Sequence, residues 1–192
     1  MEPTSETVQR IPRLSFAELT PEVQSLLRSR VERLGYLGEF FQCTGHQPDV
    51  LAHFMALTDS LKRALPDRLT EVGALTVARV MSNDYERNQH ERLSLKLGFG
   101  KDWVADVEAL NAGQQSQMSP AERAVQRLVL AAADRHGKGV GAEFDAVVDA
   151  IGMDQAIAIL FLIGRYITHA IIVNTLDLAP PVPSIFGEET PK

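Results

Sequence analysis

The 192-residue chain contains a single cysteine, Cys43. One thiol excludes an intrachain disulfide and any zinc site built on several thiolates, and it fits a reducing, cytosolic compartment. Positive charge is also short: 19 Lys and Arg face 25 Asp and Glu, for a formal charge of −6. A protein that grips a phosphate backbone carries a basic patch, so no nucleic-acid partner is expected. Long apolar runs are missing as well. The longest, Ala156–Gly164, ends just before Arg165 and falls well short of the roughly 20 residues a membrane span needs, so no membrane partner is expected. Met1–Pro12 is polar and lacks the apolar segment of a secretory leader. Strand signals are nearly absent: there is no sustained alternation between turn residues and no Asn-Gly hairpin.

What remains is helical punctuation. Thr20-Pro21 reads as an N-cap followed by proline in the first turn, opening a helix that should run to about Leu37. Pro48 and Pro66 open the next two. Ser119-Pro120-Ala121-Glu122 forms a capping box, and Gly98 and Gly152 stop helices at their C-termini. The segment from Leu69 to Val80 is apolar on most sides, which implies burial. Ala156–Ile163 is apolar all round and must be covered on every side, either as the central helix of a bundle or by a partner subunit. With 45% hydrophobic residues a core is assured. The expectation is one all-α domain over residues 1–192, with extended arms at 1–12 and 179–192.

The chemistry-bearing stretch runs from Leu69 to His90. Glu86 and His90 are four residues apart and share a helical face. A carboxylate beside an imidazole orients the ring and raises its basicity, giving a proton-transfer pair near neutral pH. Glu71 lies in the preceding apolar helix, where a buried carboxyl must be paired or protonated. A helical hairpin turning near Asn83 would return Glu71 alongside Glu86 and His90. The plainer reading is a solvated Glu–His pair contributing only tenths of a kcal/mol, with Glu71 as a helix-start residue favoured by the dipole.

Asn83-Asp84-Tyr85-Glu86-Arg87-Asn88-Gln89-His90 resembles the carboxymuconolactone decarboxylase family, which includes the alkylhydroperoxidase D-like (AhpD-like) proteins. Members carry a glutamate on one helix, then Cys-x-x-Cys-x-x-x-His on the next or, in thiol-free branches, Tyr-Glu-Trp-x-x-His. This chain is similar to the second pattern, with Arg87 where tryptophan is usual. Aligned on His90, the two cysteine positions fall on Asn83 and Glu86, and Glu71 falls on the upstream proton-relay glutamate. Leu93–Gly98 resembles the family's helix end and Ile11-Pro12-Arg13-Leu14 its N-terminal arm; the likeness is sharpest over Leu65–Phe99.

The resemblance implies an AhpD-like bundle of about eight helices, assembled as a dimer, trimer or hexamer. It also implies a lyase-type reaction on a small organic acid or lactone with no cofactor. In that reading His90 is the general acid/base, Glu86 orients it and Glu71 completes the relay. The family's peroxidase chemistry needs a thiolate and a resolving thiol, and neither aligned position holds one. A thiol route would have to use Cys43. A non-catalytic oligomeric binding protein is a further alternative.

Asn83, Tyr85, Arg165 and His169 are the candidate substrate contacts. Arg165 and His169 lie four apart on the last helix, where Arg165 could pair a substrate carboxylate or both could join a polar network inside the bundle. Glu86, His90 and His169 are of residue types that suit a metal, but nothing in the sequence packs His169 against the motif helix, and no metal is expected.

Overall fold

In the computed structural model, residues 11–112 and 116–187 are described. Among them there is no strand. After a 3-10 turn at Phe16–Glu18, nine α-helices follow among the described residues. They are α1 (Pro21–Leu34), α2 (Glu39–Thr44), α3 (Pro48–Ala64), α4 (Asp67–Val80), α5 (Asp84–Lys96), α6 (Lys101–Glu108), α7 (Pro120–Asp134), α8 (Gly141–Ile151) and α9 (Met153–Thr175).

Several boundaries follow from local chemistry. Thr20 accepts the Val23 N–H at the start of α1. Ser119 and Glu122 form the reciprocal cap that begins α7. The first helix stops at Leu34, short of Leu37, because Gly35 adopts φ +80° and its N–H bonds back to the Val31 carbonyl. The short α2, not separately expected, carries Cys43.

The chain divides into two units, Met1–Met55 and Ala56–Lys192, with α3 running across the division. In the first unit Leu19, Val23, Leu27, Phe40 and Leu51 are buried, and the Phe40 ring lies 5.8 Å from that of Phe54. His46 hydrogen-bonds the Pro12 carbonyl at 2.9 Å.

In the second unit α4 is the central element and packs against α5, α6, α7 and α9. Every residue from Leu69 to Ala78 is buried, as an all-round apolar helix requires. Gly73 sets how close α9 approaches. A Cβ at that position would lie 2.5 Å from Leu162 Cδ2, so only glycine admits the leucine as placed. Trp103, Val104, Val125, Leu128 and Ile159 complete the core.

α9 behaves in two ways. Its inner side buries Ala156, Ile159, Leu162, Tyr166 and Val173. Its outer side leaves Met153, Ile157, Leu160, Phe161 and Ile171 exposed, so a segment expected to be covered all round is bare on one side of the single chain. By length and composition α9 could cross a membrane, yet more than half of that stretch is buried inside the protein, and it presents Arg165 and His169 to the interior.

Beyond α9 the chain is irregular and lies against α5. Asn88 donates to the Val182 carbonyl, Arg92 donates twice to that of Pro183, and Glu91 accepts from Ser184 Oγ and the Ile185 N–H. The expected arms at 1–12 and 179–192 lie partly outside the described residues.

Candidate active site

The turn between α4 and α5 closes on Asn83. Its N–H bonds to the Ala78 carbonyl at 2.8 Å, and its Oδ1 caps α5 by accepting the Glu86 N–H at 3.1 Å. That turn folds α5 back along α4. Glu71 Oε2 then lies 2.7 Å from His90 Nδ1, and Ser94 Oγ donates to the same oxygen at 3.4 Å. Glu71, Glu86 and His90 are thus brought together across the hairpin. The short contact to the ring belongs to Glu71, whereas Glu86 Oε1 lies 3.8 Å from His90 Nε2. Glu71 therefore holds the orienting position that helical spacing alone suggested for Glu86.

α9 supplies the remaining wall. Arg165 donates from Nη1 to Glu86 Oε1 at 2.8 Å and from Nε to Thr58 Oγ1 at 3.2 Å. Two of its N–H groups are thereby directed to protein partners, Glu86 and Thr58. His169 Nε2 lies 3.7 Å from Glu86 Oε2, and its Nδ1 meets Asn83 Nδ2 at 3.3 Å. The Tyr85 ring packs 5.9 Å from that of His169. Tyr166 Oη lies 3.2 Å from His90 Nε2, the two rings meeting edge to face, and the Arg165 guanidinium sits 4.3 Å over the Tyr166 ring.

Tyr166, Thr58 and Ser94 were not singled out from sequence. Ser94 carried a signal, since it stands four residues after His90 on the same helical face. Tyr166 also carried one, since it stands four residues after Leu162 on the inward side of α9. Thr58 carried none, because only tertiary folding sets α3 beside Arg165.

Burial and charge divide the ionisable groups sharply. For His90, burial opposes protonation, but Glu71 and then Glu86 outweigh it and raise the ring to about 9. Its Nδ1–H therefore donates to Glu71 and its Nε2–H to Tyr166 Oη at neutral pH. For His169, burial dominates and, with the nearby Arg165 and His90, brings the ring down to about 4 despite Glu86. For Glu86, burial opposes the charge, but the flanking imidazoles and Arg165 hold the carboxyl well below its usual range. The result is an acid-loaded His90 and a neutral His169 on opposite sides of one carboxylate. The His90 side chain remains 12% exposed, against 4% for Glu71 and 9% for Glu86, so it is the most open of the three.

No group of three or more His, Cys, Asp or Glu among the described residues is arranged to hold a metal ion. In particular, Arg165 occupies the Glu86 oxygen nearest His90. Cys43 is buried, and that burial pushes its thiol up, away from thiolate formation.

No protein-family model and no curated protein matches the chain. Solved structures do. A cysteine-to-alanine variant of the debrominase Bmp8, in complex with 2,3,4-tribromopyrrole, aligns over 90% of this chain and 92% of its own with a TM-score of 0.77 and 16% identity. A peroxidase-related protein from Ralstonia eutropha JMP134, described as an alkylhydroperoxidase AhpD core, aligns over 94% of each chain with a TM-score of 0.66 and 19% identity. A protein of unknown function from Agrobacterium tumefaciens, associated with AhpD and antioxidant defence, aligns over 73% of this chain with a TM-score of 0.66 and 18% identity. At such identities the likeness defines the fold: this chain has the AhpD-like all-α fold.

Proposed function

We propose that the chain is an enzyme performing acid/base chemistry on a small organic acid or lactone, of the carboxymuconolactone decarboxylase type, with His90 as the proton donor. The observation that supports this reading most strongly is the Glu71–His90 contact of 2.7 Å inside a largely buried polar cluster. It keeps the imidazolium charged at neutral pH, so the donor is loaded before substrate arrives. In a decarboxylation the bond from carbon to the carboxylate breaks and carbon dioxide leaves. The electron pair stays on the substrate, and His90 Nε2 delivers a proton to that carbon; water then restores the imidazolium. Glu71 holds the ring from Nδ1, Tyr166 stands at the donating Nε2, and Glu86, fixed by Arg165, places its charge 3.8 Å from that same nitrogen.

We do not favour the thiol-peroxidase alternative, because the aligned positions are Asn83 and Glu86 and burial raises the Cys43 thiol. We also propose a homo-oligomer, because the outer side of α9 presents Met153, Ile157, Phe161 and Ile171 to solvent, and a second copy of that largely apolar face would cover it.

The functional reading is tested by assaying lactone acids with the parent and with His90→Gln. Loss of turnover by about 100-fold or more is expected. Equal turnover removes the proton-transfer role, and absence of turnover by the parent on any lactone acid, with retained ligand binding, favours a binding protein.

A further inference from the structure

An open surface groove with a largely apolar lining lies on the flank of α5 that carries Arg87 and Glu91. It has a volume of about 360 Å³ and is lined by Arg79, Arg87, Glu108, Ser184 and Phe186. Ala105 and Ala109 form its apolar side. None of these residues belongs to the His90 cluster.

The charges around it are unevenly satisfied. Arg87 is paired with Asp84 at 2.8 Å and with Glu91 at 3.2 Å. Glu91 is fully buried and also accepts from Ser184 and Ile185. Arg79 is exposed; its Nε makes a long bond to the Glu108 carbonyl at 3.4 Å, and it forms no ion pair among the described residues. Glu108, half-buried, has its carboxyl against that of Glu91, with which it shares a hydrogen bond when protonated. Two carboxyl groups thus share one proton on this flank, and the exposed Arg79 guanidinium at the rim has no carboxylate within ion-pair distance among the described residues.

We propose that this groove is a second ligand site, for a small carboxylic acid with an apolar body. The ligand's carboxylate pairs with the Arg79 guanidinium, and its body lies against the Phe186 ring, Ala105 and Ala109. The groove is open to solvent, and its volume of about 360 Å³ lies at the small end of the range for small-molecule sites. The site is separate from the His90 cluster and stands whether or not that cluster is catalytic.

Proton linkage gives the site a signature. The charged groups facing Glu108 are Glu91 and Arg87 from α5 and Arg79 from α4. The chain after α9 contributes uncharged Ser184 and Phe186, and Lys101 stacks on the far ring at 5.1 Å. Burial, then Glu91, raises Glu108 to about 7, against the pull of Arg87 and Arg79. An arriving carboxylate adds negative charge beside Glu108 and raises it further, so binding takes up a proton. Affinity is therefore greatest below about pH 7 and falls as pH rises above it.

Benzoate is a suitable probe, titrated calorimetrically into the full chain at about pH 6 and about pH 8, either side of the Glu108 midpoint. The parent should bind benzoate more tightly at the lower pH. Arg79→Met should weaken binding roughly tenfold or more, and Ala105→Trp, which fills the groove, should abolish it. Glu108→Gln should bind with the pH dependence removed, and His90→Gln should bind as the parent does. Unchanged affinity in both Arg79→Met and Ala105→Trp overturns the proposal. So does loss of binding in His90→Gln, which would place benzoate in the other cluster, or absence of benzoate binding by the parent at millimolar concentrations.

Discussion

Glu71 and His90 are 19 residues apart in the chain and 2.7 Å apart at Oε2 and Nδ1. The pair joins α4 to α5 and sets the protonation of the ring, so structure and proposed chemistry depend on one contact.

Glu71→Gln should keep a hydrogen bond to the ring and remove the charge. The His90 midpoint then falls from about 9 towards the ordinary imidazole range. Titration of the ring protons by NMR reads this directly; a midpoint that stays near 9 would mean that Glu86 alone holds the proton. A stability loss of about 3 kcal/mol accompanies the change, as for other broken buried pairs.

The two histidines favour a stability maximum near pH 6.5, while Glu108, raised to about 7, makes the fold lose stability as pH rises from 4.5 to 7 and so opposes their acid limb. His90 is raised to about 9, so its contribution is full below the unfolded value of 6.5 and is lost as pH rises to about 9. His169 is lowered to about 4, so the unfolded chain takes up the proton first and stability falls as pH drops from 6.5 towards about 4. Glu86, also lowered, adds to the acid limb. Urea melts across pH in a Glu108→Gln background, which removes the opposing contribution, should show both limbs, with His90→Gln flattening the alkaline one and His169→Gln the acid one.

Arg165→Met leaves Glu86 buried beside a neutral His169, without its 2.8 Å ion pair and with only the His90 imidazolium as nearby positive charge. A loss of roughly 3–5 kcal/mol is expected. Adding Glu86→Gln should recover a large part of it, because the uncompensated charge is then absent. A double-mutant cycle measures the coupling; strict additivity would show that the two residues do not interact energetically.

Gly73→Ala is a test with opposite outcomes in two backgrounds. In the parent the new methyl meets Leu162 Cδ2 at 2.5 Å, and overpacking costs about 1–3 kcal/mol against a helix-propensity gain of at most about 1 kcal/mol. In Leu162→Ala the space is open, and the same substitution should stabilise. Chemical denaturation of the four proteins decides it.

Phe161→Glu and Ile171→Glu alter residues that the single chain leaves exposed. If α9 pairs with a second copy, the parent sediments heavier than its 21.1 kDa chain and the double variant sediments as a monomer. A monomeric parent removes the assembly.

The hairpin that converges on His90 was legible because its parts are local. Asn83 caps α5, four-residue spacing aligns Glu86 with His90, and an apolar α4 forces Glu71 inward. The partition of roles was not legible. Whether Glu71 or Glu86 makes the short contact depends on the offset between two helices, which Gly73 and Leu162 help set through a third. Arg165 reads equally as a ligand for substrate or for protein until its neighbours across α3 and α5 are placed. The bare side of α9 was hidden for a different reason: an all-round apolar sequence states that cover is needed without stating who provides it.

α5 engages α4 and α9 through Asn83, Glu86, His90 and Ser94, and the returning chain through Asn88, Glu91 and Arg92. Each added or deleted residue would rotate everything downstream by about 100°. A single insertion between 83 and 94 would swing one set of contacts out of register and drag the other with it. Sequence drift can rewrite this segment by substitution, but its length is locked.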